Sequence, residues 1–184
     1  MELSDEKLMS LFRSSGDPAQ FTVLYERYFS ALCRFLAWQL EDPEQAADLA
    51  QNILLRIYQR PQLFDPSRNF KVWLFSIAKN QWKNHLRDKA TRKKHSHSAA
   101  QHWQQLKVVD TGGGQTEQLQ LVRQAMQELS EQHREVILLK YTHNLSIPEI
   151  SEVLSCSAGT VKSRLFYALR QLRKIKDSTA KVKL

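Results

Sequence analysis

Cysteine is nearly absent from this chain. Its two residues, Cys33 and Cys156, stand far apart and outside any paired spacing, so neither a disulfide framework nor a zinc knuckle is indicated, and the chain should fold without staples in a reducing compartment. No apolar run approaches the roughly 18 residues needed to cross a bilayer. The opening MELSDEKLMSLFRSSGD also lacks the basic-then-apolar order of a secretory signal. A soluble, cytoplasmic protein without membrane insertion is expected. Glycine-rich phosphate loops, a nucleophile elbow and HExxH are all missing and the carboxylates are scattered, so neither an enzyme nor a cofactor is expected. His95, His97 and His102 lie in a polar, lysine-rich stretch with no acidic or cysteine ligand at a suitable spacing, which argues against a metal site.

Charge is unevenly spread. Residues 1–66 carry a net charge of −4, residues 67–110 +8 and residues 111–184 +4, within a total of +8. An acidic first third followed by a basic remainder suggests a protein partner for one surface and a polyanion for another.

Three of the five glycines, Gly112, Gly113 and Gly114, stand together after a polar stretch poor in aliphatic residues. That composition predicts a flexible linker over 95–117 between two modules, 1–94 and 118–184. Almost every other segment has helical periodicity and none alternates with period two, so the fold class is all-α. Asp17 before Pro18 and Asp42 before Pro43 each read as a helix cap with proline at the first helical position. Ser146 with Glu149 reads as a capping box. In the first module Phe21, Leu24, Tyr25, Tyr28, Leu32 and Phe35 mark one core face. Leu49, Ile53 and Ile57 mark another, on a helix over 42–60 whose Asp48, Gln51, Asn52, Leu55 and Arg56 face elsewhere.

Residues 145–174, LSIPEISEVLSCSAGTVKSRLFYALRQLRK, read as a helix-turn-helix. The first helix bears Ile147, Ile150, Val153 and Leu154, and a short turn at SCSAG leads to a second with Val161, Leu165, Leu169 and Leu172 inward. Ala158, Lys162, Ser163 and Phe166 then face outward near the start of the second helix, the part that enters a major groove. Lys162 can reach a guanine edge or a phosphate, Ser163 a base or the backbone, and Phe166 a thymine methyl. Arg164, Arg170, Arg173 and Lys174 would lie nearer the phosphates, with Ser157 and Thr160 as further contacts at the turn. The bland alternative is a helical hairpin with a solvated basic face.

The helix expected over 70–94 interleaves Lys71, Lys79, Lys83, Arg87, Lys89, Arg92, Lys93 and Lys94 with Phe70, Trp73, Phe75 and Trp82. Basic side chains can hold a strand's backbone while rings stack on its bases, which suits unpaired DNA. Aromatics at helical spacing also serve as core, and Phe70, Trp73 and Leu74 are expected to be at least partly buried.

ELSEQHREVILLKY, LSIPEISEVL and SCSAGTVKSRL resemble the fourth region of RNA polymerase sigma factors of the extracytoplasmic-function type, a branch of the sigma-70 family, with Gly159–Arg164 the most specific part. DPEQAADLAQNILLRIYQRP and FKVWLFSIAKNQWKNHLRDKATRKK resemble the second region, in order and at similar spacing. The resemblance implies an alternative sigma factor that directs core polymerase to promoters and helps to open the DNA. It implies that Asp48, Gln51, Asn52, Leu55 and Arg56 dock on the clamp of the polymerase largest subunit, although Asn52 stands where an acidic residue is common in the family. It further implies that Ser67, Arg68 and Asn69 form a loop pocket for a base flipped from the melted element, that Lys79, Asn80, Trp82, Lys83 and Arg87 contact that strand, and that the second module spans the polymerase flap. Control by an anti-sigma factor, which could hold the chain at the membrane, belongs to the same implication. No heptad or extra oligomerisation helix is present, so the free protein is expected to be a monomer. A free-standing helix-turn-helix regulator, or a helical protein that binds a sigma factor without touching DNA, would be the other readings.

Overall fold

The computed structural model describes residues 3–40, 42–93 and 117–182, and its elements are helices throughout. The chain divides into two compact units, Met1–Val108 and Val109–Leu184. The linker expected over 95–117 lies outside the described residues except for Glu117, as do Lys94, His95, His97 and His102.

The first unit contains α1 (Asp5–Ser15), α2 (Pro18–Leu40), α3 (Pro43–Gln59), a 3₁₀ turn (Pro61–Leu63) and α4 (Phe70–Lys93). Local chemistry sets the boundaries. Ser4 caps α1 by accepting from the Lys7 N–H, and Gly16 ends it at φ 70°, a left-handed conformation that costs glycine nothing. Asp17 accepts from the Ala19 N–H at 3.0 Å at the start of α2, and hydrogen bonding of this kind lowers its carboxyl pKa. Asp42 accepts from the N–H groups of Glu44 and Gln45 at the start of α3. Both expected aspartate–proline starts are therefore present.

The longest side-by-side packing is between α2 and α3, with α4 laid against both. Leu24, Leu32, Phe35 and Leu36 meet Ala46, Ala50, Ile53, Leu54 and Ile57, all buried. Leu49 is only half-buried, because the buried stripe 46, 50, 53, 57 runs at spacings of three and four and leaves position 49 at its edge. Phe35 and Phe75 meet edge to face at 5.4 Å, joining α2 to α4.

The second unit contains α5 (Glu117–Gln127), α6 (Glu131–Ile137) running into a π turn (Leu138–Thr142), α7 (Ile147–Leu154) and α8 (Ala158–Val182). Its core combines Val136, Leu138, Leu139, Leu145, Ile150, Val153, Val161, Leu165 and Ala168. Leu169, expected inside, is 41% exposed. The inward stripe of α8 is 161, 165, 168 and 172, with Leu172 half-buried, and this seven-residue rhythm turns position 169 to the flank.

The Arg134 guanidinium donates to the carbonyls of Met126, Gln127 and Leu129 at 3.2, 3.3 and 3.2 Å. It thereby ties together carbonyls at the end of α5 and in the turn that follows it. Arg134→Ala should destabilise the second unit by about 2–3 kcal/mol, the range for charged hydrogen bonds whose partners are left unmatched. Thermal unfolding followed by far-UV circular dichroism measures it.

Candidate nucleic-acid and polymerase interface

On α3, Asp48, Gln51, Asn52, Leu55 and Arg56 are all exposed, opposite the buried stripe. Leu55 is 48% exposed in the middle of this polar face. Gln59, four residues beyond Leu55 and also exposed, extends the face by one turn.

After α3 the chain passes through the 3₁₀ turn into an exposed loop, 65–69. Its stems are fixed by aromatic packing. Buried Phe64 and Phe70 meet edge to face at 5.3 Å, and Phe64 lies 5.0 Å from Trp73. Asp65 accepts from both the N–H and the hydroxyl of Ser67, at 3.0 and 2.8 Å; the backbone N–H, and then the hydroxyl, hold its carboxyl below the usual carboxylate range. Asn69 caps α4, its Oδ1 accepting from the Val72 N–H at 3.0 Å. Ser67, Arg68 and Asn69 are thus exposed on a loop whose shape is set by Asp65, which the sequence reading did not single out. The Asp-Pro-Ser turn chemistry is the signal that could have found it.

Two of the strand-contact candidates on α4 are not on its surface. Trp82 is 1% exposed and Lys79 8%, because 75, 79 and 82 share the stripe that packs against α2 and α3. Phe70, Trp73 and Leu74 are buried, as expected, and Phe75 is buried with them, so these rings of α4 are core. Asn80, Lys83 and Arg87 remain exposed. They share one outer face at spacings of three and four, and exposed Asn84 joins them at the fourth position. Asn84 was missed although the spacing from Asn80 and Arg87 places it there. The Lys83 ammonium lies 5.6 Å from the centroid of the Trp82 ring, close enough for a cation–π contact that braces it toward this face.

In the second unit the capping box is formed as expected. Glu149 Oε2 accepts from the Ser146 N–H at 2.7 Å and Ser146 Oγ accepts from the Glu149 N–H at 3.4 Å. The turn after α7 is made by Ser155 at φ 53°. Ser157 caps α8, accepting from the Thr160 N–H at 3.1 Å and sharing a 2.9 Å hydrogen bond with its hydroxyl. Ala158, Lys162, Ser163, Phe166, Arg170, Arg173 and Lys174 are exposed. Phe166 is 62% exposed and meets the exposed ring of Tyr167 edge to face at 5.4 Å. Tyr167 was not expected there. The Ser163 hydroxyl donates to the Gly159 carbonyl at 3.0 Å, which leaves its lone pairs outward. Arg164 is half-buried on the flank of α8.

The electrostatics follow from this placement. Cationic side chains stand on the outer faces of α4 and α8, joined on α8 by the exposed rings of Phe166 and Tyr167, and among the described residues no group of three or more histidine, cysteine or carboxylate side chains is arranged to hold a metal. Cys33 and Cys156 are free and half-buried, and burial raises the Cys33 thiol pKa. Among the described residues no helix is long and apolar enough to cross a membrane.

Comparison with known proteins matches both units to one family. Residues 24–92 match the sigma-70 region 2 family and residues 119–172 match sigma-70 region 4. The extracytoplasmic-function (ECF) RNA polymerase sigma factor SigL of Mycobacterium tuberculosis is 31% identical over 161 residues, covering 87% of this chain and 90% of the relative. Among solved structures, the sigma factor RpoE from Bartonella quintana, in complex with the anti-sigma factor NepR, superimposes with a TM-score of 0.70 at 25% identity, covering 85% of this chain and 96% of the other. CnrH, in complex with the cytosolic domain of CnrY, gives 0.69 at 26% identity, covering 95% and 97%. With both units matched in order and the similarity spanning most of the chain, this protein belongs to the ECF RNA polymerase sigma factors of the sigma-70 family and is an alternative sigma factor.

Proposed function

We propose that the outer face of α3, centred on Leu55 with Asp48, Gln51, Asn52 and Arg56 around it, docks on the clamp of the largest subunit of core polymerase. The loop 65–69 and the face formed by Asn80, Lys83, Asn84 and Arg87 then hold the unpaired promoter strand by its backbone and by one flipped base. The exposed start of α8 enters the major groove of an upstream duplex element, with Lys162 and Phe166 at base edges and Arg164, Arg170 and Arg173 at phosphates, while the second unit rests on the polymerase flap. Residues 1–94 and 118–184 would act as separate modules on a 95–117 linker.

The observation that supports this reading is the pair of outer faces: on α4 the aromatic rings are core and Asn80, Lys83, Asn84 and Arg87 are exposed, and on α8 exposed Lys162, Arg170 and Arg173 stand with the exposed ring of Phe166. Two weak DNA sites on one chain bind well only when something holds them in register, and polymerase supplies that preorganisation. A partner of the anti-sigma kind, as seen with RpoE, would compete for the same exposed faces and could hold the protein at the cytoplasmic side of a membrane.

Added to core bacterial RNA polymerase on fragmented genomic DNA, the purified monomer should produce specific RNA 5′ ends that share two spaced upstream motifs. Absence of such starts, with tight binding of the protein alone to a palindromic site, would mean a free-standing regulator instead.

A further inference from the structure

Helix α1 lies outside both matched family segments, which begin at residue 24. It is nonetheless tied to the strand-holding loop. The Glu6 carboxylate accepts from the Phe70 N–H at 3.0 Å across 64 residues of sequence. Phe70 is the first residue of α4, so its N–H is one of the donors that a helix cannot satisfy itself. On the other stem of the same loop, the Arg13 guanidinium donates to the Phe64 carbonyl at 3.4 Å, the longer and weaker of the two contacts. Helix α1 is in turn fixed to α2, because Asp5 pairs with Arg27 at 2.7 Å and accepts from the Tyr28 hydroxyl. Two side chains of one helix therefore grip the residues immediately before and after 65–69.

We propose that Glu6 is a positioning residue for promoter opening. It fixes the angle at which the 65–69 loop leaves α4, and so the geometry of the pocket that receives the flipped base. This inference rests on the reading of that loop given above. The Asn69 cap orders the helix start from within, whereas Glu6 sets its position against the rest of the unit. A carboxylate beside a strand-binding loop repels phosphate, so its placement there fits a backbone-holding role better than a DNA-contacting one.

The test uses the full chain with core polymerase on a promoter mapped as above and on versions substituted at single positions of the downstream element. Glu6→Ala should reduce discrimination between the original and substituted elements on the order of fivefold, the scale of a lost helix cap. It should also speed hydrogen exchange of the Phe70 amide in the free protein. Glu6→Gln, which keeps the acceptor and removes the charge, should restore both to within about twofold. Should Glu6→Ala fail to fold, Glu6→Asp, one methylene shorter, takes its place. Unchanged discrimination in Glu6→Ala, or a uniform loss of transcription at every element, would overturn the proposal, as would a Gln variant that behaves like Ala. If the wild-type protein itself directs no specific starts, the reading of the loop fails and the inference falls with it, a result separable from the first because it appears without any substitution.

Discussion

Trp82→Ala lowers the melting temperature of the first unit by more than about 12 °C. Truncating a buried tryptophan costs about 3–5 kcal/mol, and each kcal/mol moves a domain of this size by about 4–8 °C. The side chain is 1% exposed, within the α4 stripe laid on α2 and α3. Its indole Nε1 is buried with no hydrogen-bond partner among the described residues, so Trp82→Phe removes an unmatched donor along with some volume and should cost far less than the alanine change. Promoter opening should follow stability in both variants and be nearly normal in Trp82→Phe below its melting point. A folded Trp82→Ala protein of normal stability that had lost single-strand binding would reverse the assignment and return the ring to the DNA surface.

Lys162→Ala should do the opposite: leave unfolding unchanged and cut transcription roughly 5- to 150-fold, the range that corresponds to about 1–3 kcal/mol for a base-edge contact. Lys162 is exposed on the outer face of α8, one residue from buried Val161, so nothing in the core depends on it. The loss should be confined to promoters that depend on the upstream element. Transcription from templates already melted over the downstream element should respond less, because in the proposed reading the first unit alone supplies much of the recognition there. Equal losses on both templates would indicate a phosphate contact without base selectivity, since phosphate contacts carry no sequence information.

These two variants mark the division between what could be read in one dimension and what could not. Caps and turns are local, and Asp42, Ser146 and Glu149 act within three residues of their own positions, so the sequence alone locates the helix starts. The outward position of Lys162 and Phe166 follows from periodicity within one helix, and it too was legible. Trp82 and Lys79 were misread because cationic and aromatic composition says that α4 is unusual, not which side of it is covered. That depends on two partner helices, and the stripe 75, 79, 82 becomes identifiable as core only once Phe35 is known to meet Phe75.

Leu169 was misassigned for a related reason. A leucine four residues from Leu165 is an acceptable inward position until Ala168, fully buried, shows that the covered side of α8 runs through 161, 165 and 168 and leaves 169 on its flank.

The sequence by itself determined the all-α class, the helix starts, the helix-turn-helix and the segregation of charge, because each arises from interactions spanning a few residues. Only the tertiary structure decided which side chains of α4 are exposed and that Glu6 accepts from the first N–H of a helix 64 residues away, because burial and long-range hydrogen bonds depend on which surfaces meet, a property no single segment contains.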